Sequence, residues 1–298
     1  MAFIDIEGKK IYYEEYGDTD KPTVVYLHGG PGESCLTYSY QAKKFGEHFH
    51  VISFDQYGVF RSDAIPEELH ADVHFQVELI EKMRICLNID KWIPLGHSFG
   101  GMLALLYARI YPKSTAAVIY DCPMWSARYT ARAIALATEP YFAQKHLTEK
   151  LEAIQEILKD ETSPKDAFMQ AASLEWDEGL SRFCHVIETE RYNAYINEHL
   201  EDPHVPDECW GRFVTFRQKI FDSVDFYGDY LGYLSEIEKP QLLIVGEYDM
   251  TCGRYEQEWF REHATNGRMT ILSQSAHLSW VEQPEEYTRL VTEFVLGV

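Results

Sequence analysis

The chain has 298 residues, 46% hydrophobic and 25% charged, a composition that excludes a disordered or fibrous protein and suits one α/β domain with an insertion. Its 27 basic against 48 acidic side chains leave a formal charge of −21, which repels phosphate backbones and anionic lipid and argues against nucleic-acid and membrane-surface partners. Met1-Ala2-Phe3-Ile4 has no leader character, no apolar run nears the roughly 20 residues of a bilayer span, and six scattered cysteines read as reduced thiols, so a cytoplasmic protein is expected.

Two short strands are expected at 2–6 and, past the turn at Gly8, at 10–16. Continuous apolar runs at 23–27, 50–54, 92–95, 116–120 and 241–245 have the character of strands buried on both faces. Pro94 fits such a strand only near its start or where it is locally unpaired. Between these runs, apolar residues at 75, 79, 80, 83 and 87 share one helical face, and 102–110 is apolar nearly all round. This alternation predicts a mostly parallel sheet flanked by helices. It breaks between about 123 and 238, where helical stretches such as 149–158 and 168–174 are rich in Glu, Lys and aromatic residues. It resumes at Pro240 and runs through a strand at 269–272 to a last helix at 284–295. Residues 1–122 and 239–298 are therefore expected to form one core domain, with 123–238 as an inserted helical cap.

Gly96-His97-Ser98-Phe99-Gly100 follows one apolar strand and precedes an apolar helix, the setting a G-x-S-x-G nucleophile elbow requires. Ser98 is the candidate nucleophile, and His97 reads as a structural neighbour rather than its base. Acyl transfer also needs two N–H groups aimed at the developing oxyanion. One is expected from Phe99. The other is expected from the loop His28-Gly29-Gly30-Pro31-Gly32, most directly Gly30, because Pro31 has no N–H; His28 is expected to hold that loop. The phosphate-binding glycine patterns are absent. Downstream, Asp249 ends a buried strand and is the candidate acid, with Asp121 and Glu247 as alternatives. His277, between the last strand and the last helix, is the candidate base. His70 and His74 would share a helical face, but no third ligand accompanies them, and neither a metal nor a cofactor is expected.

His28-Gly29-Gly30-Pro31-Gly32, Asp55-Gln56-Tyr57-Gly58 and Gly96-His97-Ser98-Phe99-Gly100-Gly101 together resemble the proline iminopeptidase family of α/β-hydrolases. The resemblance implies the α/β-hydrolase fold and release of an N-terminal residue through an acyl-enzyme. The family's glutamates hold the substrate's α-amino group. At the corresponding positions this chain has Gln218, in the cap, and Met250, after Asp249. It also has Tyr57 where the family usually has Arg, and Phe60 where it usually has Gly. Trp176 and Glu175, with Asp177 and Glu178, are further candidates for substrate contact in the cap. A small molecule or short peptide is the expected substrate. An esterase, lactonase or amide-cleaving hydrolase without aminopeptidase activity, and a non-catalytic binding protein on the same fold, remain open. The oligomeric state is not legible.

Overall fold

A computed structural model of the chain describes residues 2–176, 186–199 and 206–298, without the side chains of 175, 176 and 199. Eight strands form one sheet in the order β1-β2-β4-β3-β5-β6-β7-β8. They are β1 (Ala2–Ile6), β2 (Lys9–Tyr16), β3 (Thr23–Leu27), β4 (His50–Phe54), β5 (Ile93–His97), β6 (Val118–Asp121), β7 (Gln241–Gly246) and β8 (Gly267–Leu272). β1 and β2 run antiparallel, β2 pairs antiparallel with β4, and every later pairing is parallel.

The continuous apolar strands have a simple physical reason. Successive side chains point to opposite faces, and both faces are covered by helices. Val25, Leu27, Ile52, Tyr120, Leu243 and Val245 pack into a core on one side. Val24, Tyr26, Val51, Ile119, Leu242 and Ile244 pack into the core on the other. The helices α1 (Ser39–Gly46), α2 (Val73–Cys86) and α3 (Phe99–Ile110) divide between these faces. α2 and α3 bring Val77, Ile80, Met83, Met102 and Leu106 to the first core, and α1 brings Phe45 to the second. Pro94 is accommodated as expected of a residue near the start of a strand. Trp92 exchanges backbone bonds with Ser114 and Ala116, and the β5–β6 pairing resumes only at Leu95.

Between β6 and β7 the described elements are helical: α4 (Ala127–Gln144), α5 (Thr148–Ile157), α6 (Pro164–Trp176), α7 (Thr189–His199) and α8 (Arg212–Asp222), with short 3-10 turns. α4, α5 and α6 enclose their own small core around Ile134, Phe142, Ile154, Ile157 and Leu174. α8 instead lies on the sheet domain, with Phe216 and Ile220 in the first core. After β7 come α9 (Arg254–His263), then β8, a single turn α10 (Ser279–Glu282) and α11 (Pro284–Val295). No described helix is long and apolar enough to cross a membrane.

Candidate active site

Ser98 follows β5 directly and precedes α3, with φ 54° and ψ −119°, in a half of the map where a side chain is strained. The chain turns this tightly because its neighbours lack Cβ atoms. A Cβ on Gly96 would lie 2.0 Å from the Gly100 carbonyl oxygen, and one on Gly100 would lie 2.0 Å from that of Leu27. The turn is pinned to the end of β6: Ser98 N–H donates to the Asp121 carbonyl, and Met124 N–H to the Ser98 carbonyl, both at 3.0 Å. Phe99 opens α3, so its N–H is among the first-turn donors that have no acceptor within the helix.

The glycine loop after β3 lies against the elbow, since a Cβ on Gly29 would be 3.0 Å from Ser98 Cβ. Gly30 is exposed, with φ 113°, and the Gly30–Pro31 bond is cis. His28 holds the loop as expected: its Nε2 accepts from Gln56 N–H at 3.0 Å while the Gln56 amide donates to the His28 carbonyl at 2.9 Å. The following turn is braced by Asp55, buried beneath it. Asp55 accepts from Ser34 at 2.7 Å, from Cys35 N–H at 3.0 Å and from Arg61 Nε at 2.7 Å. Burial alone would raise the Asp55 pKa, and the Arg61 guanidinium overrides it and holds the carboxyl below its usual range.

His277 Nδ1 and Asp249 Oδ1 are 2.7 Å apart. An ionised carboxylate only accepts, so Nδ1 carries the proton and Nε2 keeps its lone pair. Thr251 and Cys252 N–H groups fix the same carboxylate at 3.1 and 2.9 Å. Burial pushes the Asp249 pKa up, but His277 and these two N–H groups pull it below the ordinary carboxylate value. For His277, burial acts downward and is outweighed by Asp249, then Asp121 and Glu33, so its pKa rises above 6.5.

A family model described as the alpha/beta hydrolase fold matches residues 22–284. The chain belongs to this family. The proline iminopeptidase of Heyndrickxia coagulans is 26% identical over 100% of this chain and 99% of its own length. That of Clostridioides difficile strain 630 is 28% identical over 99% and 97%. Among solved structures, a proline iminopeptidase-related protein from Thermus thermophilus superposes with a TM-score of 0.77 at 22% identity, covering 99% of this chain and 96% of that one.

The remaining candidate residues lie in different settings. Asp121 is buried near the site, yet its Oδ2 lies 3.0 Å from Nδ1 of His97, whose ring is 4.6 Å from that of His277. Asp121 Oδ1 has no hydrogen-bond partner among the described residues, and burial drives its pKa well above the usual value. Glu247 is exposed and accepts from Gln274 N–H at 3.1 Å. Gln218 is exposed too, and its amide donates to both Asp222 oxygens at 3.0 Å along its own helix. Met250 packs against the small core of α4–α6. Trp176 and Glu175 end α6, with side chains outside the described residues; Asp177 and Glu178 lie outside them altogether. α2 starts only at Val73, so His70 and His74 share no helical face; they face Asp72 at 3.0 Å and Asp225 at 3.9 Å.

Sequence reasoning missed several residues. Cys122, at φ 43° after β6, brings its sulfur to within 4.8 Å of donor atoms of Asp249 and His277. These are the only three described residues whose donor atoms converge this way. A soft cation there would compete for the groups that the Asp249–His277 bond uses. Glu256 is buried at the start of α9, accepting from Trp125 and Gly253 N–H groups at 3.3 Å, and burial raises its pKa well above the usual value. Glu33 and Arg217 face one cavity beside the glycine loop. Only the Arg-Gln pair at 217–218 carried any signal, since a helix that presents Gln218 outward turns Arg217 elsewhere.

Proposed function

We propose that the chain is a serine hydrolase that releases the N-terminal residue of a short peptide through an acyl-Ser98 intermediate. The supporting observation is the 2.7 Å pair of His277 Nδ1 and Asp249, with the His277 ring 4.6 Å from that of His97, the residue before the strained Ser98. In this reading His277 Nε2 removes the Ser98 hydroxyl proton as Oγ attacks the substrate carbonyl. Asp249 holds the tautomer and stabilises the imidazolium. The N–H groups of Gly30 and Phe99 receive the tetrahedral oxyanion. His277 then gives the proton to the leaving amine; water, deprotonated by the same imidazole, attacks the acyl-enzyme, and the imidazolium returns that proton to Ser98 Oγ as the acyl–oxygen bond breaks. Five cysteines (Cys35, Cys86, Cys122, Cys209 and Cys252) are free thiols, which suits a reducing compartment such as the cytoplasm.

A second reading, an esterase or amidase indifferent to a free amine, is favoured by the placement of Gln218 and Met250. Neither brings a carboxylate to the elbow. A fluorophosphonate probe should label the wild type and leave Ser98→Ala unlabelled; an unlabelled, well-folded wild type removes the hydrolase claim. Turnover of prolyl but not acetyl-prolyl nitroanilide supports the aminopeptidase. Turnover of nitrophenyl esters alone supports the second reading.

A further inference from the structure

A cavity of about 390 Å³ lies between the glycine loop and the helical insertion. Its walls are aromatic, from Phe60, Tyr192, Trp210 and Phe213, and it contains one acid, Glu33, and one base, Arg217. Glu33 stands three residues after Gly30, and its charge reaches His277. Arg217 comes from α8 and donates through Nε to the Pro31 carbonyl at 3.0 Å.

Neither charge has an oppositely charged partner at ion-pair distance among the described residues. In a chain with 48 acidic side chains, Arg217 forms no ion pair among the described residues, and its remaining donors meet no acceptor there. The Glu33 carboxylate likewise has no hydrogen-bond or ion-pair partner among them. The two do not pair with each other, although Glu33 partly offsets the burial that depresses the Arg217 pKa. A half-buried guanidinium with spare donors recruits a carboxylate. An anionic ligand alone would be repelled by Glu33, and a cationic one alone by Arg217. A ligand carrying both charges on an apolar body satisfies the site.

The cavity wall shows a further cost consistent with binding. Phe60 has φ 44°, a conformation unfavourable for a bulky residue, and its ring meets Trp210 edge-on at 4.7 Å. Both rings line the cavity that holds the two charges.

We infer that this cavity is a zwitterion site, in which Glu33 takes the α-ammonium and Arg217 the terminal carboxylate of a dipeptide with an apolar side chain. The inference deepens the aminopeptidase reading: it makes the preferred substrate a free dipeptide rather than the end of a long chain.

The test uses full-length Ser98→Ala protein and calorimetric titration with alanyl-phenylalanine, its C-terminal amide and its N-acetyl derivative. The free dipeptide should bind about tenfold or more tighter than either blocked form, the scale of one charge-assisted hydrogen bond. In Arg217→Gln the preference over the amide should fall to about one while the preference over the acetyl form survives; Glu33→Gln should do the reverse. Comparing two ligands on one variant cancels any disturbance of the glycine loop that losing the Pro31 contact brings. Equal binding of all three, or preferences unchanged in both variants, overturns the site. The enzyme reading falls separately. If wild-type protein cleaves no peptide while Ser98→Ala prefers the dipeptide, the cavity stands and the aminopeptidase does not. If prolyl nitroanilide turns over and the carboxylate is ignored, the reverse holds.

Discussion

At the scale of single residues, protonation of His277 governs the proposed chemistry. Its pKa lies above 6.5 because Asp249, Asp121 and Glu33 together outweigh burial. A general base must be neutral, so kcat/KM should fall as pH drops through a value above 6.5. Asp249→Asn removes the nearest charge and the tautomer's anchor. Its acidic limb should move down, and kcat should fall by about 10⁴. A pH–rate series on both proteins checks this; a wild-type limb at or below 6.5 contradicts the assignment. The same shift has a stability sign. His277 contributes stability below its unfolded pKa that is lost as pH rises through the folded one. Phe60 gives a second residue-scale prediction. Relieving its positive φ with Phe60→Gly gains about 1–2 kcal/mol, while losing a buried aromatic ring costs about 3–5 kcal/mol. The variant should therefore be less stable by about 1–4 kcal/mol in a urea titration.

At the scale of elements, the elbow and α8 position everything else. Gly100→Ala would put a methyl 2.0 Å from the Leu27 carbonyl, with backbone on both sides and nothing free to move. The expected cost is about 3 kcal/mol or more, read as a lower Tm. α8 docks through three cations that each donate to backbone carbonyls: Arg212 to Ser62 at 2.8 Å, Arg217 to Pro31 at 3.0 Å, and Lys219 to Glu67 at 2.7 Å. Arg212→Ala should accelerate amide exchange in α8 and leave α3 unchanged, because α3 is buried under the sheet whatever α8 does. The middle of the sheet was legible because β3 to β7 are buried on both faces. The pairing of Asp249 with His277 was legible too, because an acid follows β7 and a histidine follows β8. Arg217 was not, since its partner, the Pro31 carbonyl, is 186 residues away and leaves no side-chain pattern. Glu256 escaped for the same reason: its partners are backbone N–H groups, including that of Trp125, 131 residues distant.

At the scale of the whole molecule, charge separates the long-range field from local recognition. With a formal charge of −21, the protein repels itself, so its Tm should rise between about 0.01 and 0.2 M salt as the Debye length shrinks from about 30 Å to below 10 Å. The same field concentrates cationic ligands near the molecule. A prolyl nitroanilide carries one positive charge, so its kcat/KM should decline across that salt range. A free dipeptide has no net charge, and the field gives it little long-range attraction. Its contacts with Glu33 and Arg217 would be made at hydrogen-bond distance inside a half-closed cavity, where screening is weak. Its kcat/KM should therefore stay nearly flat with salt while still collapsing in Arg217→Gln. If the dipeptide declines as steeply as the nitroanilide, the surface field rather than the cavity selects the substrate, and the acidic composition alone accounts for any preference for amines.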